Sequence, residues 1–217
     1  MAAFVSDLPL RFWNTDTSAT YEDCWAVLQW VASHKIQDDS SNKEPWLLNY
    51  GDFDRVYIGG DSAGGNIAHN IAMQAGEESL NGGVKILGAY LVHPYFWGSI
   101  PIGSEPTEKR EKNLLHLAWE FHYPSAPGGI DNPMVNPVGP GKPSLAKLGC
   151  SRLLVCVAEK DELRDRGISY FDAVKESGFG GEVELFEVKG EAHEFHLFNP
   201  ETENGKKMLN YLASFLK

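Results

Sequence analysis

Ser62 stands in Gly60-Asp61-Ser62-Ala63-Gly64, directly after the apolar run of residues 55–59 and ahead of residues 63–75, which have helical spacing. A strand, a Gly-x-Ser-x-Gly turn and a helix make a tight, strained elbow that pushes the serine hydroxyl out at the carboxyl end of a strand. A hydroxyl is a weak nucleophile at neutral pH. It needs a base within hydrogen-bond reach, and the base needs a third group to orient it. Two downstream residues stand where those roles require. Asp161 follows the apolar run 153–158, in Ala158-Glu159-Lys160-Asp161, and His193 follows the run 183–188, in Gly190-Glu191-Ala192-His193-Glu194-Phe195. Serine, acid and histidine in that chain order, each in the loop after a strand, is one of the known orders of such a triad. The chemistry is acyl transfer: attack by Ser62, proton transfer by His193, and orientation by Asp161.

Each residue also has a purely structural reading. Serine caps helices well, so Ser62 also reads as the N-cap of the following helix. Asp161, Arg164, Asp165 and Arg166 also read as a solvated charge cluster, and Glu159 and Glu162 compete with Asp161 as the acid. His196 competes with His193, although Phe195-His196-Leu197-Phe198 has the composition of a packing segment. The pair His193-x-x-His196 has no evident third ligand and is not His-Glu-x-x-His, so no metal site is expected. His69, on the helix after Ser62, reads as structural. The joint occurrence of three residue types, in order and each in the right loop, favours the triad.

The elements that must position these residues follow from hydrophobic periodicity. From Thr20, a capping residue, the pattern is helical, with Cys24, Trp25, Leu28, Val31 and Ala32 on one face. Residues 37–44 are a polar loop. Residues 55–59 read as a buried strand and residues 63–75 as a helix stopped by Gly76. Residues 85–92 are a near-continuous apolar run, as in a strand covered on both faces. Residues 111–122 read as a helix whose apolar face is Leu114, Leu115, Leu117, Ala118 and Phe121. Residues 124–143 hold six prolines and read as irregular backbone. Beyond them come a strand at 153–158, a helix at 166–177 ended by Gly178, a strand at 182–188 and a helix at 203–217. Residues 1–17 show no period. The alternation of strand and helix predicts an α/β fold with a mostly parallel sheet.

Composition narrows the partners. The chain has 217 residues, 42% hydrophobic and 23% charged, which suits one globular unit. A net charge of −11 argues against nucleic acid and anionic membranes. Cys24, Cys150 and Cys156 are odd in number, scattered and set in apolar or helical runs, as expected of reduced thiols in a cytoplasmic compartment. No signal peptide and no membrane-spanning run is evident.

On these residues the chain resembles the plant carboxylesterases of the hormone-sensitive-lipase-like branch of the α/β-hydrolases, a branch that includes gibberellin receptors and 2-hydroxyisoflavanone dehydratases. The matching text includes Tyr21-Glu22-Asp23-Cys24-Trp25-Ala26, Glu44-Pro45-Trp46-Leu47, Gly51-Asp52-Phe53-Asp54-Arg55-Val56 and Gly60-Asp61-Ser62-Ala63-Gly64-Gly65-Asn66-Ile67-Ala68-His69. It continues through Asn132-Pro133-Met134-Val135-Asn136-Pro137, Ala158-Glu159-Lys160-Asp161-Glu162-Leu163-Arg164-Asp165-Arg166-Gly167 and His193-Glu194-Phe195-His196-Leu197-Phe198. It covers nearly all of residues 20–217, leaving 1–19 as a non-matching segment. The resemblance implies Ser62 as nucleophile, His193 as base then acid, Asp161 as orienter, small-ester hydrolysis through an acyl-enzyme, and no metal or organic cofactor. The receptors typically lose the histidine that His193 represents.

The resemblance also implies a lid, first strands and a His-Gly-Gly loop ahead of Tyr21 that have no counterpart in residues 1–20. The expected fold is therefore a partial α/β-hydrolase. In the family the oxyanion hole combines the backbone N–H at Ala63 with N–H groups of that loop, and losing one such donor costs about a hundred- to a thousandfold in rate. The strand at 55–59 would be left as a sheet edge. Three outcomes follow for it: residues 1–19 cover the edge, two chains pair across it as a homodimer, or the product is a poorly stable fragment. Three functions are weighed: an esterase weakened in its oxyanion hole, a non-catalytic remnant that binds a small molecule or protein, and a dehydratase in which His193 abstracts a proton. Phe96, Trp97, Phe121 and Tyr123 read either as pocket-lining or equally as core residues.

Overall fold

The computed structural model describes residues 2–4, 18–36, 43–108 and 110–217. Five parallel strands lie in chain order: β1 (Ala2–Phe4), β2 (Val56–Asp61), β3 (Ile86–Val92), β4 (Cys150–Ala158) and β5 (Glu182–Val188). Around them run α1 (Ser18–Ser33), α2 (Pro45–Tyr50), α3 (Ala63–Glu77), α4 (Leu114–His122), α5 (Arg164–Glu176), α6 (Phe195–Phe198) and α7 (Glu203–Phe215). Among the described residues no helix is long and apolar enough to cross a membrane.

The central strands are almost wholly apolar along their buried stretches, Val56–Ile58, Ile86–Val92 and Leu153–Ala158, because both faces are covered there. Alternate residues divide between two cores. Val56 and Ile58, Ala89 and Leu91, and Leu153, Val155 and Val157 face α1, α3 and α5, meeting Leu28, Ile67, Ile71, Tyr170 and Val174. Tyr57, Tyr90, Val92, Leu154, Cys156 and Ala158 face the other way, onto Met208 and Phe215 of α7 and Phe195 of α6. A third cluster, Tyr95, Trp97, Trp119, Ile130, Val135 and Leu163, packs the loops beyond the carboxyl ends of the strands. Cys150 and Cys156 are buried and all three cysteines are free. Burial pushes the Cys150 thiol up to about 12.

Several element boundaries differ from the sequence reading. Thr20 does not cap α1 but lies inside it. Gly76 does not stop α3, which continues to Glu77. Its role is close approach, since a Cβ there would sit 1.6 Å from the Lys147 carbonyl oxygen. The helix expected at 111–122 begins at Leu114, because the Asn113 side chain caps it by accepting from Leu115 N–H at 2.8 Å. Residues 110–112 form a separate 3₁₀ turn. The face expected to be buried is largely outward, with Leu114 79% and Phe121 71% exposed. Residues 45–50, unassigned from sequence, form α2 with Pro45 in its first turn.

The segment expected to be aperiodic contributes β1. Ala2, Ala3 and Phe4 pair in parallel with Tyr57, Ile58 and Gly59. Of the three outcomes for the edge, this is the one in which the N-terminal residues cover it. The cover is partial, because β2 runs on to Asp61.

A buried ion cluster fixes the loop of residues 98–108 against α5. The Glu105 carboxylate accepts from Arg166 Nε at 2.6 Å and Nη2 at 3.0 Å, with Arg110 Nη1 at 3.1 Å. The two guanidinium groups also donate to the Ile100 and Gly98 carbonyls, and Arg110 lies 4.5 Å over the Trp97 ring. Glu105→Ala leaves two buried cations without their carboxylate, a change that costs about 3–5 kcal/mol. Urea unfolding should show a loss of that size. A shift under about 1 kcal/mol, the range of exposed pairs, would mean that the cluster is solvated.

Candidate active site

The carboxyl ends of β2, β3, β4 and β5 lie side by side, with Asp61 paired to Val92 and Val92 to Cys156. In open parallel sheets that edge is where ligands bind. Ser62 follows β2 directly, with φ 53° and ψ −113°, a conformation rare for a residue bearing a Cβ. Its N–H donates to Val92 O at 2.8 Å, and its carbonyl accepts from Tyr95 N–H at 2.9 Å and Asn66 N–H at 3.2 Å. These bonds hold the strained turn in place. A Cβ on Gly60 would lie 2.4 Å from the Gly64 carbonyl carbon, so the turn closes only with glycine there.

The three residues singled out from the sequence converge. Ser62 Oγ lies 2.9 Å from His193 Nε2, and His193 Nδ1 lies 2.8 Å from Asp161 Oδ2. An ionised carboxylate only accepts, so Nδ1 carries the proton and Nε2 presents the lone pair to the Ser62 hydroxyl. Asp161 is buried, and its other oxygen accepts from Leu163 N–H at 3.0 Å. Glu159 instead accepts from Gly190 N–H, and Glu162 from Asn113 Nδ2. Burial alone would lower the His193 pKa. The hydrogen bond and charge of Asp161 outweigh it and hold the imidazole above its ordinary value.

Asp61, expected only as part of the turn, has two partners of its own. His93 Nδ1 lies 3.3 Å from Oδ1 and His196 Nε2 lies 3.0 Å from Oδ2. Burial alone would raise the Asp61 pKa, but hydrogen bonds from His196 and His93 bring it below the usual carboxylate value. His196 is thus turned to Asp61 rather than to Ser62. His93 was not read from sequence. Its signal was present: a histidine directly after a strand neighbouring that of Ser62. His69 is buried 2.8 Å from Tyr170 Oη, and burial lowers its pKa to about 3, in keeping with a structural role.

Ala63 begins α3, and the first N–H groups of a helix have no intrahelical acceptor. It borders a shallow cleft of about 30 Å³, with Tyr21, Ile67, Tyr95, Trp119 and His122 among its walls. Burial lowers the His122 pKa, which keeps that wall neutral. Of the four aromatic residues read as pocket or core, Tyr123 packs against the Trp97–Trp119 cluster. Phe96 and Trp97 are core residues and Phe121 points outward, while Trp119 and His122 line the cleft. The arrangement can present an activated hydroxyl and its base to a carbonyl group, with the Ala63 N–H and the apolar cleft beside them.

A family described as alpha/beta hydrolase fold matches residues 14–197. A 2-hydroxyisoflavanone dehydratase of Glycyrrhiza echinata is 54% identical over 199 residues, covering 91% of this chain and 61% of the relative. Probable carboxylesterase 2 of Arabidopsis thaliana is 40% identical over 196 residues, covering 90% and 59%. An esterase of Pyrobaculum calidifontis superposes with a TM-score of 0.70 at 25% identity, covering 94% of this chain and 61% of that one. The chain spans about three fifths of the length of the curated relatives it matches.

Proposed function

We propose that this chain, which belongs to the alpha/beta hydrolase fold family, hydrolyses small uncharged carboxylic esters through an acyl-enzyme on Ser62. The observation that carries the reading is the unbroken hydrogen-bond line from Ser62 Oγ through His193 to Asp161, at 2.9 and 2.8 Å. Ser62 attacks the ester carbonyl as His193 Nε2 takes its proton. The imidazolium, stabilised by Asp161, then protonates the leaving alkoxide, and the same steps with water release the acid. The Ala63 N–H, at the positive end of the α3 dipole, faces the developing oxyanion. The neutral aromatic cleft supports an apolar acyl or alcohol group.

Intact-mass spectrometry after a fluorophosphonate probe tests this. One adduct on the wild-type chain, lost in Ser62→Ala together with ester turnover, is the expected result. No adduct on a folded wild-type chain would leave the serine unactivated and favour a binding role.

A second reading is supported by the identity of 54% to a 2-hydroxyisoflavanone dehydratase, against 40% to a carboxylesterase. In it His193 abstracts a proton from the substrate while hydroxide leaves, and Ser62 is a hydrogen-bonding group rather than a nucleophile. Product analysis with a 2-hydroxyisoflavanone separates the two readings, since dehydration that survives without an acyl-enzyme belongs to the second.

A further inference from the structure

His93 is buried to 1% exposure between the nucleophile turn and the base loop, and one side of its ring has no partner. Nδ1 lies 3.3 Å from both Asp61 Oδ1 and the Glu194 backbone nitrogen. Nε2 makes no hydrogen bond. A buried polar atom left in that state is costly, and native structures seldom keep one without a reason. Its surroundings suggest one. A ligand atom from each of His93, Asp161 and His193 lies within 4.8 Å of the other two, and the His93 and His193 ring centroids are 5.4 Å apart.

We propose that His93, Asp161 and His193 form a site for a borderline divalent cation such as Zn²⁺, and that its occupation switches the active site off. Two imidazoles and a carboxylate are a donor set that suits Zn²⁺ and Cu²⁺ rather than Mg²⁺ or Ca²⁺. Metal binding at His93 Nε2 moves the ring proton to Nδ1, where Asp61 Oδ1, 3.3 Å away, accepts it in place of the contact in which the Glu194 N–H donates to Nδ1. That carboxylate–histidine–metal order recurs in metal sites. His193, whose side chain is 34% exposed, makes the site reachable from solvent.

Inhibition follows from proton placement. The cation enters between His193 Nδ1 and Asp161 Oδ2 and takes one lone pair from each. The Nδ1 proton leaves and the neutral imidazole is reprotonated at Nε2, so no net proton is lost. Nε2–H then has no lone pair with which to accept the Ser62 proton. This inhibitory part rests on the proposed triad, whereas the binding part does not.

Two readouts keep the parts separate. Chelator-treated full chain is titrated with Zn²⁺ by calorimetry and with Co²⁺ by visible absorption, and fluorophosphonate labelling is followed in parallel. We expect one equivalent bound, the intense visible bands of four-coordinate Co²⁺, and labelling that falls in step with occupancy. His93→Phe should weaken binding at least about tenfold, and His196→Gln should leave it unchanged. Weak six-coordinate Co²⁺ bands on the wild-type chain would overturn the site without recourse to a variant. So would binding that depends on His196 rather than His93. If the metal-free chain takes no probe, the triad reading fails while the cobalt spectrum still decides the cation site.

Discussion

His193→Ala is expected to lower ester turnover about 10⁶-fold, and combining it with Ser62→Ala should lower it no further. The non-additivity follows from the geometry. Ser62 Oγ and Asp161 both reach the reaction through the one ring that stands 2.9 Å from the first and 2.8 Å from the second. Without the ring, the hydroxyl has no acceptor for its proton and the carboxylate has nothing to orient. What survives is the contribution of the Ala63 N–H and the cleft, which Ser62→Ala leaves largely in place. The measurement is kcat/KM on a simple apolar ester for both single variants and the double, with circular dichroism to establish that each is folded. A double variant much slower than either single would mean that the two groups act in separate steps. That result is the one expected if His193 serves as base for a proton other than that of Ser62.

Why these three residues were read from the sequence, and His93 was passed over, is a matter of which constraints are local. The continuous apolar runs at 55–59 and 153–158 mark buried strands, and the period of two then places Val56 and Ile58 opposite Tyr57, and Leu153, Val155 and Val157 opposite Leu154 and Cys156. Once strands and helices alternate, the carboxyl ends of the strands must share an edge. Residues in the loops after them are then neighbours whatever their separation in the chain. Ser62, Asp161 and His193 are legible for that reason. His93 obeys the same rule, but it sits in a run of apolar and aromatic residues, Val92 to Trp97, where a histidine reads as core. Its partners, Asp61 and the Glu194 N–H, come from the end of β2 and from the loop after β5.

Other boundaries depend on competition between a local cap and a longer pattern. The helical reading of residues 111–122 begins three residues early, because Asn113, not Glu111, caps the helix by taking the Leu115 N–H. Gly76 reads as a stop from its residue type, but the approach of Lys147 is a tertiary fact. β1 is the extreme case. Ala2–Phe4 has too few residues to show a period, and what recruits it is the unpaired edge of β2.

Asp161→Asn is expected to cost about 10⁴-fold in kcat and to move the acidic limb of the pH–rate profile downward. The base works only as neutral imidazole, so activity rises with pH through the His193 pKa. In the wild-type chain that pKa stands above the ordinary value of about 6.5 because the Asp161 bond and charge outweigh burial. With asparagine the charge is gone and burial dominates, which carries the limb below the wild-type position. The amide also offers an N–H where the carboxylate only accepted. Meeting His193 Nδ1, it favours the tautomer with the proton on Nε2, which cannot take the Ser62 proton. The loss in rate should therefore persist above the limb, where deprotonation no longer limits. Stability moves in the opposite sense. A histidine whose pKa is raised in the folded state stabilises the fold fully below its unfolded pKa, and that contribution is lost as pH rises through the folded value. The wild-type chain thus keeps the His193 contribution to stability where the base is protonated and idle, and gives it up where the base is neutral and active. Asp161→Asn should remove this part of the pH dependence of the thermal midpoint along with the rate. A variant that loses rate while keeping the wild-type limb would place the control of the His193 proton somewhere other than Asp161.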